Sequence, residues 1–439
     1  MGSPKRVIKE VVIDAEVVIG EIKNNSEVKK VKKYWRMLGP GLTTGAADDD
    51  PSGVATYSQA GAQYGFGLLW LSIFTFPLMA VVQEMCARIG IVTGKGLATN
   101  IKEHFPKWFL FGSTILLFAA NSFNIGADLG AMAKSTQLIF PTLNFAILII
   151  LFTGVSLILQ IFLSYDHYAR ILKWLALVLL SYIVATLMIP NLNWQEILSG
   201  AVIPKFSFNE QSILLIAAVL GTTISPYLFF WQTSQEVEEA KVKTQVDRNA
   251  LKRMRIDVWS GMLLSNVVMF FIIAACGATL YVNGITNIST LEQAALALKP
   301  FAGNGAITIF TIGIIGTGLL AIPVLAGSAS YAIAETFGWR EGLNKSLKQA
   351  RAFYGVIIIS MLLGLSLNFI GLDPVKTLIY SALANGIIAP PILLAILLLS
   401  SNKKIMGEHA SSNGSKIVGV LIVIIMTLAS AYSVIKIFS

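Results

Sequence analysis

Hydrophobic residues run through this chain in long blocks separated by short polar segments. A helix needs about 20 apolar residues to cross the hydrocarbon core of a bilayer, and blocks of that length recur along the sequence. The pattern predicts eleven transmembrane helices, over residues 38 to 63, 66 to 90, 108 to 138, 143 to 163, 168 to 189, 212 to 234, 256 to 281, 303 to 330, 352 to 371, 376 to 400 and 416 to 437.

The composition agrees with this pattern. Of 439 residues, 55% are hydrophobic and 13% are charged, whereas soluble proteins carry about 25% charged residues. Residues 1 to 37 hold nine Lys or Arg and no long apolar run, so they form a polar cytoplasmic arm rather than a cleaved signal peptide.

The positive charges predict an orientation, because basic residues in short loops stay on the cytoplasmic side. With the N-terminus inside, all but five of the 33 Lys and Arg residues are cytoplasmic, the exceptions being Lys134, Lys205, Lys299, Lys376 and Lys436. An odd number of helices then places the C-terminus outside the plasma membrane. This asymmetry explains the net charge of +9, which gives no support to nucleic-acid binding.

Cysteine and histidine offer no metal-binding pattern. Cys86 and Cys276 lie in apolar blocks without ligand spacing, so we expect buried free thiols. His104, His167 and His409 fall in predicted loops, which leaves no histidine ligand within the membrane.

The first block contains an acidic interruption. Asp48, Asp49 and Asp50 come directly before a Pro-Ser-Gly sequence at residues 51 to 53. Each carboxylate near the centre of a membrane helix costs about 2.5 to 3.5 kcal/mol, and Pro and Gly interrupt helices. We therefore expect residues 49 to 53 to be non-helical and to bind a cation at Asp50. The alternative is a solvated loop between two interfacial helices.

The sixth block has a second interruption, at Gly221, Thr222, Thr223, Ser225 and Pro226. Paired interruptions in two halves of a chain indicate an inverted-repeat transporter with its site at the midplane. Helices one to five (residues 38 to 189) and six to ten (residues 212 to 400) would be the repeats, and helix eleven (416 to 437) would follow them.

Several segments resemble the NRAMP family of divalent-metal transporters. They are GPG at 39 to 41, DPSG at 50 to 53 where the family has Asp-Pro-Gly-Asn, SQAGAQYGFGLLW at 58 to 70, TGKGLATNIKEHFP at 93 to 106 and YARILKWLALVLLSYIVA at 168 to 185. The resemblance implies an all-α membrane protein with the fold of sodium-coupled amino-acid transporters, the LeuT-type 5+5 inverted repeat. It implies a transporter and not an enzyme.

Family members that carry transition metals hold the ion with the Asp and Asn of the first motif and with a Met and a backbone carbonyl of an Ala-x-x-Met-Pro-His stretch. Here Asp50 matches the Asp, Gly53 replaces the Asn, Ser225 replaces the Met and Thr222 takes the Ala position. A thioether favours soft ions, whereas Asp50, nearby Asp49 and small oxygen-bearing neighbours suit a partly hydrated Mg²⁺.

The proton-coupling residues of the family are also changed. Pro226 is followed by Tyr227 instead of His, and Ala131 aligns with a family Glu. A phenol with a pKa near 10 exchanges protons poorly at neutral pH. We expect Asp128 to form an ion pair with Arg351. In these departures the chain resembles the bacterial NRAMP-related magnesium transporters. This resemblance implies uncoupled uptake of Mg²⁺, and also Mn²⁺, by alternating access.

Other interpretations stay open. The first alternative is a proton-coupled Mn²⁺ or Fe²⁺ symporter in which Asp48 or Asp49 carries the proton. A membrane enzyme or receptor is a second alternative, but the sequence shows no nucleophile-and-base set that would support it. A third is an amino-acid symporter of the same fold, in which the three acids would repel the carboxylate of the substrate.

Further polar residues are candidates for the pathway. They are Asp48, Thr223, Tyr227, Tyr380 and Asn385. We expect the divalent ion and the lipid bilayer to be the partners, with no cofactor and no obligatory protein partner.

Overall fold

A computed structural model describes residues 39–162, 180–190, 192–205, 209–242 and 248–438, and the regular structure of these residues is helical. The predicted arm over residues 1 to 37, His167 and most of the fifth predicted helix lie outside these ranges. The first half contains α1 (Pro40–Asp48), α2 (Pro51–Tyr64), α3 (Trp70–Thr93), α4 (Leu97–His104), α5 (Lys107–Ile139), α6 (Phe145–Phe162), α7 (Ser181–Leu187) and α8 (Trp194–Val202).

The second half begins with another pair of consecutive helices. It contains α9 (Glu210–Thr223), α10 (Pro226–Val242), α11 (Arg248–Cys276), α12 (Leu291–Ala295), α13 (Lys299–Ala302), α14 (Ala306–Phe337), α15 (Arg351–Leu367), α16 (Pro374–Ser401), α17 (Lys403–Met406) and α18 (Asn413–Phe438). A π-helical turn over Gly277–Tyr281 continues α11, and short 3₁₀ turns cover Leu296–Leu298, Gly303–Gly305 and Gly407–His409.

Eight stretches of the described chain are helical, long and apolar enough to cross a membrane. They are Trp70–Thr93, Lys107–Ile139, Phe145–Phe162, Glu210–Glu239, Ala250–Tyr281, Gly303–Phe337, Pro374–Ser401 and Asn413–Lys436. The first predicted block is divided into α1 and α2, and α15 is a shorter apolar helix. Because only α7 represents the fifth block in the described residues, the total of eleven and the limits of the two repeats stay predictions.

The two predicted helix breaks are present. Asp49 and Asp50 separate α1 from α2, and Ile224 and Ser225 separate α9 from α10. Each second half begins with a proline, because the first helical position needs no backbone N–H donor and suits the fixed proline φ angle. The non-helical segment expected over residues 49 to 53 is therefore shorter, since the helix resumes at residue 51.

Small residues bring α1 directly against α11. A Cβ atom on Gly45 would overlap the carbonyl oxygen of Gly261, so a larger residue would force the two helices apart. Asp257 of α11 accepts hydrogen bonds from the backbone N–H groups of Gly41 (2.7 Å) and Leu42 (3.2 Å). These bonds satisfy donors that the first turn of a helix leaves open, and they fix the start of α1.

The junction of α1 and α2 lies among several helices. α1 packs on α10, α11 and α14, while α2 packs on α5, α9, α11 and α16. In contrast, only 28% of an apolar 18-residue stretch of α6 and 22% of one of α18 are buried. Their exposed apolar side chains need a hydrocarbon surrounding, so these helices face lipid.

Candidate cation site

Three acids are buried at the junction of α1 and α2. Asp48 ends α1, and Asp49 and Asp50 connect it to α2. Their exposed fractions are 0%, 2% and 1%, respectively. The alternative of a solvated loop between interfacial helices is therefore wrong.

Asp50 binds the start of α2 and a side chain of α5. It is the N-cap residue of α2, and its Oδ1 accepts a hydrogen bond from the Gly53 N–H at 2.6 Å. Its Oδ2 accepts a second hydrogen bond from Asn124 Nδ2 at 2.8 Å. Both carboxylate oxygens are thus held in place, and each keeps a lone pair with which it can bind a cation.

Asp48 and Asp49 share one donor on α11. The Ser265 hydroxyl lies 2.6 Å from Asp48 Oδ2 and 3.3 Å from Asp49 Oδ1. The second carboxylate oxygen of Asp48 has no hydrogen-bond partner among the described residues. Since a single hydroxyl donates one hydrogen, it cannot satisfy two carboxylates.

A fourth acid, Asp128 of α5, is also fully buried. Neither of its carboxylate oxygens makes a hydrogen bond within the part of the chain that the structure describes. The expected ion pair with Arg351 is wrong, because Arg351 is exposed and forms no salt bridge with Asp128. α15 begins with Arg351, and the arginine extends into the surroundings instead of into the helix bundle.

The electrostatics of the junction favour positive ions. Among the described residues, no Lys, Arg or His forms a salt bridge with any of the four buried aspartates, Asp48, Asp49, Asp50 and Asp128. A buried carboxylate without a counter-charge costs several kcal/mol, on the order of the desolvation penalty of one ion. The four aspartates must therefore take up protons or share a bound cation.

The break of α9 and α10 faces the acidic junction. Tyr227 donates its hydroxyl hydrogen to the carbonyl oxygen of Ala47 at 2.9 Å, and the Tyr57 and Thr223 hydroxyls lie 3.2 Å apart. These two contacts join the two breaks, as their pairing in the sequence predicted. Thr223 and Tyr227 therefore lie beside the acidic junction.

The predicted helix-six ligands, Thr222 and Ser225, are both buried. The Ser225 hydroxyl lies 2.7 Å from the carbonyl oxygens of Gly221 and Thr222. The Thr222 carbonyl and the Ser225 hydroxyl thus already interact within their own helix end. Each still has a lone pair for a cation.

Gly53 allows a close approach at the first break. A Cβ atom there would lie 2.9 Å from the backbone oxygen of Asp48, a distance that requires a shift of the backbone. The carbonyl oxygen of Asp48 therefore crowds the position that the first side-chain carbon of a larger residue would take.

The two α16 candidates lie in different surroundings. The Tyr380 side chain is 57% exposed, whereas Asn385 is 2% exposed, and its Oδ1 lacks a hydrogen-bond partner in the described residues. Ser381 is closer to the first break, because its hydroxyl lies 3.0 Å from that of Ser52. Ser52 also donates to the Leu378 carbonyl at 2.7 Å.

Sequence reasoning missed the two residues that hydrogen-bond the acids from neighbouring helices, Asn124 of α5 and Ser265 of α11. It also missed the contact between Ser52 and Ser381, which joins α2 to α16. The spacing of four residues between Asn124 and Asp128 places both on one face of α5, and that pattern was visible in the sequence. Single serines in apolar helices carry no such signal.

The ligands on offer are oxygen atoms of carboxylates, an amide, hydroxyls and backbone carbonyls. Within the described residues, no three His, Cys, Asp or Glu side chains converge into a set that could hold a metal by themselves. Cys86 and Cys276 are buried free thiols, as expected. A cation here would complete its shell with neutral oxygen atoms and water, as Mg²⁺ commonly does.

A buried acidic junction between two broken helices is the arrangement of a membrane transporter with an ion site at its centre. A sequence model of the family described as natural resistance-associated macrophage protein-like, Nramp, matches residues 41–436. The chain belongs to the Nramp family, and it is a transporter rather than an enzyme.

Individual relatives span nearly the whole chain. The divalent metal cation transporter MntH of Yersinia pestis (strain Pestoides F) is 27% identical over 423 residues, which cover 93% of this chain and 96% of the relative. The crystal structure of the Eremococcus coleocola manganese transporter has a TM-score of 0.75 at 18% identity, covering 91% and 86% of the two chains. Mhp1, a nucleobase-cation-symport-1 family transporter, has a TM-score of 0.56 at 15% identity, covering 91% and 93%. These likenesses confirm the predicted LeuT-type fold.

Proposed function

We propose that this divalent metal cation transporter of the Nramp type carries Mg²⁺, and also Mn²⁺, into the cell without a coupled proton. The proposal rests on the four buried carboxylates, Asp48, Asp49, Asp50 and Asp128, which have no basic partner in the described residues. A divalent ion compensates two of these charges at once. Carboxylate oxygens are ligands that Mg²⁺ and Mn²⁺ prefer.

The residues at the break between α9 and α10 favour a hard ion. Ser225 offers oxygen where the transition-metal members of the family have the sulfur of Met, and Thr222 offers its backbone carbonyl. Mg²⁺ gives up its water reluctantly and is usually held through one or two carboxylates with several waters retained. We infer a partly hydrated ion bound near Asp50, with Asp49, Gly53, Thr222 and Ser225 around it.

The absence of coupling is supported by two replaced residues. Tyr227 stands where the family has His, and its hydroxyl hydrogen is engaged by the Ala47 carbonyl. Ala131, where the family has Glu, is fully buried and cannot carry a proton. A divalent ion gains about 4.6 kcal/mol in a membrane potential of about 100 mV, so uptake needs no proton gradient.

A proton-coupled Mn²⁺ or Fe²⁺ symporter is the second candidate. It is favoured by the names of the relatives, a divalent metal cation transporter and a manganese transporter. In this case Asp48, whose Oδ1 has no hydrogen-bond partner among the described residues, or Asp49 would carry the proton.

The location follows from the same proposal. We place the chain in the plasma membrane with its N-terminus in the cytoplasm and its C-terminus outside, on the distribution of Lys and Arg. The transported ion and the lipid are its partners, without a bound cofactor or an obligatory protein partner.

Flux into proteoliposomes at a fixed membrane potential tests the proposal. Uptake of Mg²⁺, Mn²⁺ and Ca²⁺ is measured with an internal pH dye, and empty liposomes serve as the control. We expect Mg²⁺ and Mn²⁺ flux that follows the potential without internal acidification. Mn²⁺ flux with acidification and no Mg²⁺ flux would instead establish the symporter.

A further inference from the structure

A polar face of α5 is turned toward the acidic junction. Asn124 and Asp128 are four residues apart on this helix and are both fully buried. Burying an amide or a carboxylate without partners is costly. Their position beside Asp50 therefore requires an explanation beyond packing.

The contacts of Asn124 orient its amide. Nδ2 donates to Asp50 Oδ2 at 2.8 Å, while Oδ1 has no hydrogen-bond partner among the described residues. Reversing the amide would place its oxygen against a carboxylate oxygen. The contact with Asp50 thus determines which end of the amide is left without a partner.

Gly53 and Ser225 offer fewer free oxygen atoms to a cation than α5 does. Gly53 has no side chain, and the Ser225 hydroxyl already interacts with the carbonyl oxygens of Gly221 and Thr222. In contrast, Asn124 Oδ1 and both oxygens of Asp128 have no hydrogen-bond partner in the described residues. Apart from Asp48 Oδ1 at the end of α1, these α5 atoms are the oxygen atoms near Asp50 that lack a partner among the described residues.

We propose that α5 forms one wall of the cation site, with Asn124 Oδ1 as a ligand of the ion. The Asn124 amide donates its N–H to Asp50 and offers its oxygen to the ion that Asp50 binds. Asn124 would thus supply the amide ligand that the family has as Asn at the position of Gly53. Asp128 adds negative charge on the same face. The ligand class is a hard divalent cation, and this inference rests on the proposed function.

Two substitutions separate a ligand from a residue that only orients Asp50. Asn124→Ala removes both the donor and the oxygen, whereas Asn124→Asp removes the donor and keeps an oxygen. Asn121→Ala is the matched control, because Asn121 lies on the same helix but donates to the Leu325 carbonyl (2.9 Å) and the Ser328 hydroxyl (2.8 Å). Flux kinetics in proteoliposomes and calorimetric titration of purified protein with MgCl₂ or MnCl₂ give KM, Vmax and Kd.

We expect Asn124→Ala to raise KM and Kd about 10- to 100-fold, the usual effect of losing a group around a bound metal, with a smaller change in Vmax. Asn124→Asp should bind far more tightly than Asn124→Ala, and Asn121→Ala should keep the wild-type Kd. Equal losses in both Asn124 variants, or a wild-type Kd in Asn124→Ala, would overturn the inference.

The experiment distinguishes failure of the Asn124 inference from failure of the proposed function. The variants are compared for whichever divalent ion the wild-type protein carries. A wild type that carries only Mn²⁺ with protons would end the Mg²⁺ proposal and leave the Asn124 comparison valid. Normal Mg²⁺ transport by the wild type and by Asn124→Ala would end only the Asn124 inference.

Discussion

At the residue scale, Asp50 combines two roles that are usually separate. It caps α2 by accepting the Gly53 N–H, and its charge lies where a cation would bind. Removing the side chain would mix these roles, since losing an N-cap costs about 0.5 to 2 kcal/mol of stability. Asn is as good a cap as Asp, and it carries no charge.

Asp50→Asn therefore isolates the charge. We expect the variant to insert and purify normally but to lose divalent-cation uptake, because an amide cannot compensate the charge of the ion. Flux in proteoliposomes measures the loss, and size-exclusion chromatography verifies the fold. Asp373→Asn, which alters an exposed N-cap at the start of α16, is the matched control. Wild-type flux in Asp50→Asn would move the site elsewhere.

At the element scale, the two helix breaks are joined by phenol groups. Tyr227 on α10 donates to the Ala47 carbonyl at the end of α1, and Tyr57 on α2 contacts Thr223 at the end of α9. The end carbonyls of a helix lack partners within it, so Tyr227 satisfies one that the break leaves open. This bond explains a tyrosine here without any role in proton transfer.

Tyr227→Phe tests that explanation. It removes only the hydroxyl, and we expect a loss of about 0.5 to 1.5 kcal/mol of stability, the net value of one hydrogen bond. Divalent-cation flux should persist, with internal pH unchanged. Thermal melting and proteoliposome uptake measure the two effects, and Tyr354→Phe, whose hydroxyl donates to the Lys345 carbonyl, is the control. Abolished flux in a folded Tyr227→Phe would indicate that the phenol takes part in transport.

The sequence predicted the elements better than their side-chain contacts. Apolar length located the helices, and proline with glycine located both breaks, because these properties are local. The pairing of Asp128 with Arg351 was wrong, since charge complementarity between distant segments does not determine whether they face each other. The contacts of Asn124 and Ser265 with the acids depend on helix rotation and packing, which hydrophobic length does not specify.

At the scale of the whole molecule, the four buried carboxylates oppose folding. Each loses its hydration, and no basic side chain among the described residues forms a salt bridge with any of them. The close approach of Gly45 to Gly261 and the contacts of Ser265 with Asp48 and Asp49 hold part of this group in place. On the proposed function, the transported ion would act as a ligand that stabilises the folded state.

Thermal melting should reveal this stabilisation. A ligand at 100 times its Kd adds about 2.7 kcal/mol when it binds only the folded state, so the melting temperature should rise with Mg²⁺. The fluorescence of the eight tryptophans can report unfolding, with NaCl at equal ionic strength as the control. Asp50→Asn should show a smaller rise. Identical melting in MgCl₂ and NaCl would contradict the role of Mg²⁺ as this ligand.

The burial of Asp48, Asp49 and Asp50, at most 2% exposed, has a consequence for throughput. An open channel passes ions continuously, whereas a site closed to water exchanges its ion only when surrounding helices move. Such collective motions take microseconds to seconds, and each cycle delivers the contents of one site. If the ion is bound at this junction as proposed, helix motion would limit the transport rate, and the closed junction would prevent a leak that discharges the membrane voltage between cycles.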